Sequence, residues 1–327
     1  MRAARHLIIA LTAGLALAGC NGAEPDADAG ATGDALPELV IHRPFRPGPG
    51  AVNSYWLEGP DEILVFDTQG ELNLAAHVVA RIEETGKPVT AIVISHYHPD
   101  HFGGLQMFVA AFPDAQLLMT QDVADQIGRD LSGYVEQLRE RDGDEFELPP
   151  EPARILENRE DISISGVPVS VHEIAGAEAS PITMLAIPSQ NALLSSDLVV
   201  NRMHPNMADS NFDSWPRLLD RVARDYSGYT LYPGHGDPGP ANLLLANQAA
   251  YLTFMRNLVV NDILQDDVAT EAEITDAIAA IRANYPLWET TTGRSNQLRR
   301  NLEAIVAQLG GSTVGQNSPA SQTAAAQ

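Results

Sequence analysis

The feature that most constrains this chain is a run of four potential metal ligands directly after an apolar segment. His96, His98, Asp100 and His101 lie within six residues, in SHYHPDHFGG. The preceding VTAIVIS (89–95) predicts a buried strand, so the four side chains follow a strand end. His96 and His98 are then expected to face one metal, and Asp100 and His101 a second. Imidazole and carboxylate ligands suit zinc, with iron or manganese as alternatives.

Clustering separates this run from ordinary histidines. Three of the nine histidines fall in it together with an acid, which packing alone hardly explains, although a single histidine is usually packed or solvated. After a strand, the pattern resembles the second motif of the metallo-β-lactamase fold superfamily. The resemblance implies an α/β fold, an αββα sandwich of two mixed β-sheets with outer helices. It also implies that the metals lie at one edge of the sandwich.

The periodicity of the chain agrees with that architecture. Strand and helix patterns alternate through two similar halves, up to the loop YPGHG. One of the predicted helices covers residues 121–143. From residue 241 to 309 the pattern is helical, with breaks near Asp266 and Pro286, so C-terminal helices are expected beyond the sandwich.

The resemblance implies that three further residues belong to the metal site. Asp67, in LVFDT, is implied to accept a hydrogen bond near the metal loop, and the alternative is an aspartate that simply starts a turn. Asp197, in LLSSDLV, matches an acid that bridges both metals. Ser196 replaces the usual glycine before it, which is tolerable unless the backbone needs a positive φ there. His235, in YPGHGDP, matches the last ligand of the second metal.

The third histidine of the first metal is where the chain departs from the family. Aligning back from Pro188 and Asp197 places Glu178 in that position, and His172 is six residues away. A carboxylate binds metal through oxygen but adds a negative charge, so the metal should be a weaker Lewis acid and its bound water should have a higher pKa. It also improves the case for manganese or iron beside zinc. The alternative is that Glu178 is a surface acid and the first metal lacks a ligand.

Asp100 and His204 are the candidate catalytic residues. His204, in NRMHPN, lies seven residues after Asp197, on a loop expected to pass the metal edge. With an ordinary pKa close to neutrality, it could contact substrate or protonate a leaving group. A structural or solvent-exposed role for His204 is an equal alternative.

Both ends of the chain differ in composition from its middle. Residues 1–19 resemble a signal peptide, and Leu17-Ala18-Gly19-Cys20 resembles a bacterial lipobox that ends at the single cysteine of the chain. The expected location is therefore the bacterial cell envelope, on the periplasmic side, with a lipid anchor through Cys20. The alternative is an ordinary secretory signal with an incidental cysteine.

The domain boundaries follow from these patterns. We expect a lipidated flexible tether over residues 20–37, a metallo-β-lactamase-like domain over 38–240, its helical extension over 241–309 and a disordered tail over 310–327.

The formal net charge of −23 argues against nucleic-acid binding, which needs a basic face. A small-molecule substrate is expected, and the sequence leaves the oligomeric state open.

The expected function is a metal-dependent hydrolase with two zinc ions per chain. The resemblance implies that water activated between the metals cleaves an ester, thioester, lactone or related bond. A bridging aspartate is typical of such hydrolases and not of the zinc β-lactamases. Two alternatives remain: an iron-dependent redox enzyme on the same fold, and a lipoprotein that binds metal or a small molecule without turnover.

Overall fold

Two β-sheets, each built from strands that are consecutive in the sequence, form the centre of the fold. The computed structural model describes residues 35–43, 51–290 and 296–313. The first sheet contains, in order, β1 (Val40–His42), β2 (Tyr55–Glu58), β3 (Ile63–Phe66), β4 (Val89–Val93), β5 (Gln116–Thr120) and β6 (Arg154–Leu156). The second contains β7 (Asp161–Ile164), β8 (Val167–Ile174), β9 (Ile182–Ile187), β10 (Ala192–Val200), β11 (Thr230–His235) and β12 (Gly239–Pro240).

Both sheets are mixed. In the first sheet, β1, β2 and β3 pair antiparallel, whereas β3 to β6 pair parallel. In the second sheet, the pair β10 and β11 is parallel and the other pairs are antiparallel. The parallel pairs bring the ends of β3, β4, β10 and β11 to positions from which following loops can meet.

Alternation along the strands explains why the sheets are covered on both faces. One set of alternate residues forms a buried cluster shared by the two sheets, including Leu57, Leu64, Phe66, Val93, Val169, Val171, Leu185 and Leu194. The other set, including Trp56, Ile63, Val65, Met184 and Leu193, joins a second cluster with the helices. A strand that is buried on both faces needs apolar residues throughout, as ILVF (63–66) has. The predicted αββα sandwich is confirmed.

The helices of the described ranges are α1 (Leu72–Glu83), α2 (Pro99–Phe102), α3 (Leu105–Ala111), α4 (Gln121–Gly128), α5 (Tyr134–Asp142), α6 (Trp215–Tyr226), α7 (Ala241–Leu258), α8 (Glu271–Asn284) and α9 (Gln297–Gln308). The single helix predicted over 121–143 is two helices, because α4 ends at Gly128 and the chain then takes a positive φ at Asp130 (46°) and at Gly133 (71°) before α5 begins. Among the helices described, none is long and apolar enough to cross a membrane.

The C-terminal helices are confirmed as α7, α8 and α9. Between α7 and α8 the chain forms a π-helical turn (Val259–Ile263) and a short strand, β13 (Val268–Ala269), which pairs in parallel with β14 (Ser312–Thr313). β14 lies inside the segment predicted to be a disordered tail, so regular structure continues to Thr313. The predicted signal peptide, Cys20 and residues 314–327 lie outside the described residues.

His204 packs into the C-terminal region. Its ring, in a residue that is 2% exposed, contacts the rings of Tyr251, Tyr285 and Trp288. The Tyr251 hydroxyl lies 2.8 Å from His204 Nδ1. Burial, with a smaller contribution from the charge of Arg282, lowers the pKa of His204 to about 4. The folded chain therefore favours the neutral ring.

Replacing His204 with glutamine should flatten the pH dependence of the free energy of unfolding between about pH 6.5 and pH 4. The unfolded chain takes up a proton near pH 6.5 while the folded ring resists it, so the wild type loses stability as the pH falls through this window. The difference should reach roughly 3 kcal/mol, measured by urea unfolding at a series of pH values. His77→Gln is the matched control, because it makes the same substitution at an exposed position of α1. Equal slopes for His204→Gln and wild type would contradict the assignment.

Gly104, at the start of α3, leaves no room for a side chain. A Cβ there would lie 2.3 Å from the Thr68 carbonyl oxygen and 2.5 Å from Ala75 Cβ. Gly104→Ala should therefore lower the free energy of unfolding by about 1–3 kcal/mol, measured by chemical denaturation. Gly128→Ala is the control, because a Cβ at that helical position meets nothing within 4 Å and alanine favours the helix. A neutral Gly104→Ala would show that this turn can relax.

Candidate metal centre

The candidate ligands lie near strand ends: Asp197 is within β10, His235 is the last residue of β11, and the others are in segments that follow β4 or β8. His96 and His98 come directly after β4, and His98 precedes Pro99, which starts the short helix α2. Proline is favoured at the first helical position because its missing N–H has no helical partner there. The turn into α2 separates Asp100 and His101 from the two earlier ligands. Apart from Asp100, the candidate ligands are 0–3% exposed; they are His96, His98, His101, Glu178, Asp197 and His235.

The first ligand group consists of His96, His98 and Glu178. Glu178 Oε2 lies 3.0 Å from His98 Nδ1 and 3.8 Å from His96 Nε2. Ligand atoms of a tetrahedral zinc stand roughly 3.3–3.5 Å apart, given bonds of about 2.0–2.1 Å. Glu178 is therefore 2% exposed and lies beside His96 and His98, so it is not a surface acid.

The second group consists of Asp100, His101 and His235. His235 Nε2 lies 3.2 Å from Asp100 Oδ2. Asp197 Oδ2 lies 3.4 Å from the Nε2 atoms of both His101 and His235, and Asp197 also clusters with the first group. Within each group the candidate ligand atoms lie within 4.8 Å of one another. Asp197 therefore occupies the position between the groups that a bridging carboxylate requires.

The polar atoms of the site fit metal ions. Five of them are buried and have no hydrogen-bond partner within the described ranges: His96 Nε2, His101 Nε2, Glu178 Oε2, Asp197 Oδ1 and His235 Nδ1. An unsatisfied buried polar atom costs about 1–3 kcal/mol, so a concentration of them in one place indicates a ligand. Imidazole nitrogens and carboxylate oxygens are donors that divalent metals accept. The donor set fits two such ions.

Asp67 orients His101. It follows β3 with a φ of 63°, and its carboxylate accepts hydrogen bonds from the Ser95 backbone N–H and hydroxyl, both at 2.8 Å. The second oxygen lies 2.7 Å from His101 Nδ1. This contact favours a proton on Nδ1 and leaves Nε2 facing Asp197. The structure thus places Asp67 where the resemblance implied, in contact with a candidate ligand.

Asp209 orients His98, and sequence reasoning missed it. Its Oδ2 lies 3.1 Å from His98 Nε2, and the Tyr134 hydroxyl and Asn206 amide also donate to this oxygen. His98 Nδ1 is thereby left to face Glu178. An aspartate in the turn-rich segment MADSN carries no signal in sequence beyond turn formation, because its partner is 111 residues away.

Ser196 is held in a conformation that favours glycine. Its φ is 45°, so the backbone does need a positive φ at this position, where serine replaces the expected glycine. A left-handed conformation costs a non-glycine residue roughly 1–2 kcal/mol. The Ser196 hydroxyl offsets part of this cost, because it donates to Ser95 Oγ at 2.7 Å and lies 3.3 Å from His96 Nδ1.

Two glycines and Asn53 shape the loop that carries His235. A Cβ on Gly234 would lie 1.8 Å from Asp197 Oδ1, and Gly236 has a φ of 84°. The Asn53 side chain donates to the carbonyls of Pro233 at 2.9 Å and Gly236 at 2.7 Å. The loop can therefore place the imidazole close to Asp197.

Charge in the centre is strongly coupled. Burial opposes the charged form of His98, but the carboxylates of Glu178 and Asp209 outweigh it and raise the pKa of His98 to about 10. Burial likewise opposes charge on His235, and Asp197 and Asp100 raise its pKa to about 10. Burial raises the pKa of Glu178 to about 7 against the attraction of His98. The carboxylates thus call for compensating positive charge, which protonated imidazoles or divalent cations can supply.

His204 is not among the residues that line the cavity at the candidate metal centre. Besides five candidate ligands, the cavity is lined by Val200, Met203, Pro205 and Asn206. His204 instead packs among aromatic rings, and its lowered pKa makes it a poor proton donor near neutral pH. The structure therefore supports the structural alternative for His204 and not the catalytic one. Asp100 does line the cavity, with its side chain 27% exposed.

Comparisons with known proteins agree with the geometry. The metallo-beta-lactamase type 2 of Bacteroides fragilis is 26% identical over 160 residues, 48% of this chain and 57% of that protein. A linear primary-alkylsulfatase of a Pseudomonas strain is 23% identical over 220 residues, 56% of this chain and 41% of that protein. The hydroxyacylglutathione hydrolase of Cupriavidus taiwanensis is 35% identical over 83 residues, 25% of this chain and 31% of that protein. The chain spans about half the length, or less, of these curated relatives.

Solved structures share the fold. A metallo-beta-lactamase from Pontibacter korlensis superposes with a TM-score of 0.54 at 19% identity, covering 66% of this chain and 95% of that chain. VMB-1 superposes with a TM-score of 0.52 at 16% identity, covering 67% and 99%. The family model described as the metallo-beta-lactamase superfamily matches residues 47–235, more than half of the chain and the whole span from β2 to His235. The chain belongs to the metallo-β-lactamase superfamily and carries that family's His/Asp/Glu metal-binding cluster.

Proposed function

We propose that this protein is a hydrolase that uses two metal ions, of which zinc is the first candidate, to cleave an ester-type bond. The observation that carries the proposal is the convergence of two ligand groups on Asp197, whose carboxylate lies 3.4 Å from both histidines of the second group. Such an arrangement serves a paired-metal centre and has no evident use in packing. Each group by itself would hold one ion.

When bound, the metal ions would supply Lewis acidity and an activated water. The residues of the chain supply the rest of the site. Asp100 lines the cavity, and His235 and His101 outweigh burial to keep its pKa below the ordinary range, so its carboxylate stays ionised. It can accept a hydrogen bond from a water molecule that enters the cavity. Val200, Met203 and Pro205 add apolar lining to the cavity, which limits access of bulk water.

Glu178 supports an ester-type substrate over an amide. With Asp100 and Asp197 it makes three carboxylates in the candidate ligand set, one more negative charge than a histidine at its position would give. Each added charge weakens the Lewis acidity of the metals. A weaker Lewis acid is better matched to bonds with good leaving groups, such as esters, thioesters and lactones, than to unactivated amides.

Two relatives support the same class. The alkylsulfatase and the hydroxyacylglutathione hydrolase are named for the cleavage of a sulfate ester and an acylglutathione. Sulfate esters therefore join esters, thioesters and lactones as candidate substrates. Because one relative is a β-lactamase, a β-lactam should be tested beside these esters, as the substrate with an amide bond.

Metal content tests the proposal first. Elemental mass spectrometry of protein purified without added metal should find close to two zinc ions per chain. His235→Ala should reduce this to about one ion and should lower turnover of the best substrate by at least about 1,000-fold, while thermal unfolding remains cooperative. Asp100→Ala should act in the same way. His77→Gln, exposed on α1, is the control for both measurements.

Each other outcome is informative. Bound iron together with oxygen consumption would replace the hydrolase with a redox enzyme. Absence of metal, or full turnover by His235→Ala, would overturn the proposal and favour a binding protein.

We further propose that the protein is anchored in the bacterial cell envelope, on the periplasmic side, through a lipid on Cys20. The support is the sequence Leu17-Ala18-Gly19-Cys20 and the presence of a single cysteine in the chain. Cys20→Ala should move the protein from the membrane fraction to the soluble fraction of a bacterial host, measured by fractionation and immunoblotting. Membrane association that persists in Cys20→Ala would contradict the anchor.

A further inference from the structure

One wall of the cavity is a loop that is buried without being a helix or strand. Residues 203–207 follow β10, and all five are buried. A buried loop must find partners for its backbone N–H and C=O groups, because these are costly to leave unpaired. This loop makes no ladder with either central sheet in the described structure. Its partners come from elsewhere.

The C-terminal region supplies those partners, and two of them are side chains of α9. Asn301 Nδ2 donates to the Pro205 carbonyl at 2.7 Å, and Asn301 Oδ1 accepts from the Met207 N–H at 2.9 Å. Gln297 Nε2 donates to the His204 carbonyl at 2.9 Å. Both side chains are at most 2% exposed. The His204 N–H donates to the Glu289 carbonyl at 2.8 Å, just before α9.

The loop that α9 holds reaches the candidate metal centre in two ways. Met203, Pro205 and Asn206 line the cavity. Asp209, two residues after Met207, contacts His98 Nε2 and also accepts from the Asn206 amide. A displacement of the loop backbone would therefore move the carboxylate that fixes the ring of His98. Among the described residues, no hydrogen bond or ion pair joins residues 203–207 to Asp100, His101 or His235.

We propose that α9 is a positioning element for the first metal, acting through Asn301 and Gln297 on the loop that places Asp209 against His98. The family match ends at residue 235, so α9 lies outside the residues that the family model matches. The inference rests on the proposed function, because it assumes that His98 binds a metal. The proposed effect of α9 is selective. The metal affinity of the first ligand group depends on α9, and the metal affinity of the second group does not.

The test is zinc affinity measured by competition with a chromogenic chelator, on the full chain. Asp209→Asn should raise one of the two zinc dissociation constants by about 10–100-fold and leave the other unchanged, the range typical of losing a residue that orients a ligand. Asn301→Ala, which acts on Asp209 only through the loop, should raise the same constant by a smaller factor and leave the other unchanged. In His235→Ala, the first ligand group remains intact and should bind a single zinc ion. Adding Asn301→Ala to this variant should raise the dissociation constant of that ion.

The control is Ile305→Val, a methylene deletion in the core on the same helix with no bond to the loop. It should leave both constants unchanged while lowering thermal stability slightly. If Asn301→Ala does not fold, Gln297→Ala is the second variant, because it removes only the partner of the His204 carbonyl. It should raise the same dissociation constant by a smaller factor.

The outcomes separate the two proposals. Two tight zinc ions in both the wild type and Asn301→Ala would overturn the role of α9 and leave the hydrolase proposal standing. Equal weakening of both constants, or weakening in Ile305→Val, would reduce α9 to general stability and would also overturn it. No zinc in the wild type would remove the proposed function itself.

Discussion

The carboxylate of Asp197, 3.4 Å from both His101 and His235, is the point on which the rest of the site depends. It is 3% exposed, and burial of an ionised carboxylate is costly unless positive charge or hydrogen bonds compensate it. The surrounding imidazoles are arranged around this requirement. His96, His98 and Glu178 lie on one side of it, and Asp100, His101 and His235 on the other. Strain at Ser196 and the tight packing of Gly234 are consequences of bringing this carboxylate close to both groups.

The imidazole rings are oriented by hydrogen-bond partners outside the ligand groups. Each of two histidines has its outward nitrogen fixed by a carboxylate, His101 by Asp67 and His98 by Asp209. His96 is held differently, by the hydroxyls of Ser95 and Ser196 at 3.0 Å and 3.3 Å. Because a hydroxyl does not compensate charge as a carboxylate does, burial and the neighbouring histidines lower the pKa of His96, whereas that of His98 is raised. His96 thus differs in charge preference from His98 and His101, whose pKa values are both raised, although the three rings lie in one short motif.

Glu178 and the C-terminal region are two further features that shape the candidate metal centre. Glu178 adds a third carboxylate to a centre that already holds two aspartates, and oxygen ligands suit harder metal ions. The helices beyond residue 235 bury a loop that no strand supports, with Asn301 and Gln297 as its backbone partners. The loop contacts tie the candidate site to a part of the chain that lies beyond the residues matched by the family model.

The sequence by itself determined the architecture and most of the candidate ligands. Periodicity gave the strands and helices, since alternate burial leaves a local trace, and the spacing of His96, His98, Asp100 and His101 identified the metal centre because all four lie on one strand end. Only the tertiary structure decided the positions of Glu178, Asp209 and His204. Glu178 is brought beside His98 by the packing of one sheet on the other, and Asp209 by a loop 111 residues away. His204 is withdrawn from the cavity by aromatic residues of the C-terminal helices, a contact between distant segments that no local pattern encodes.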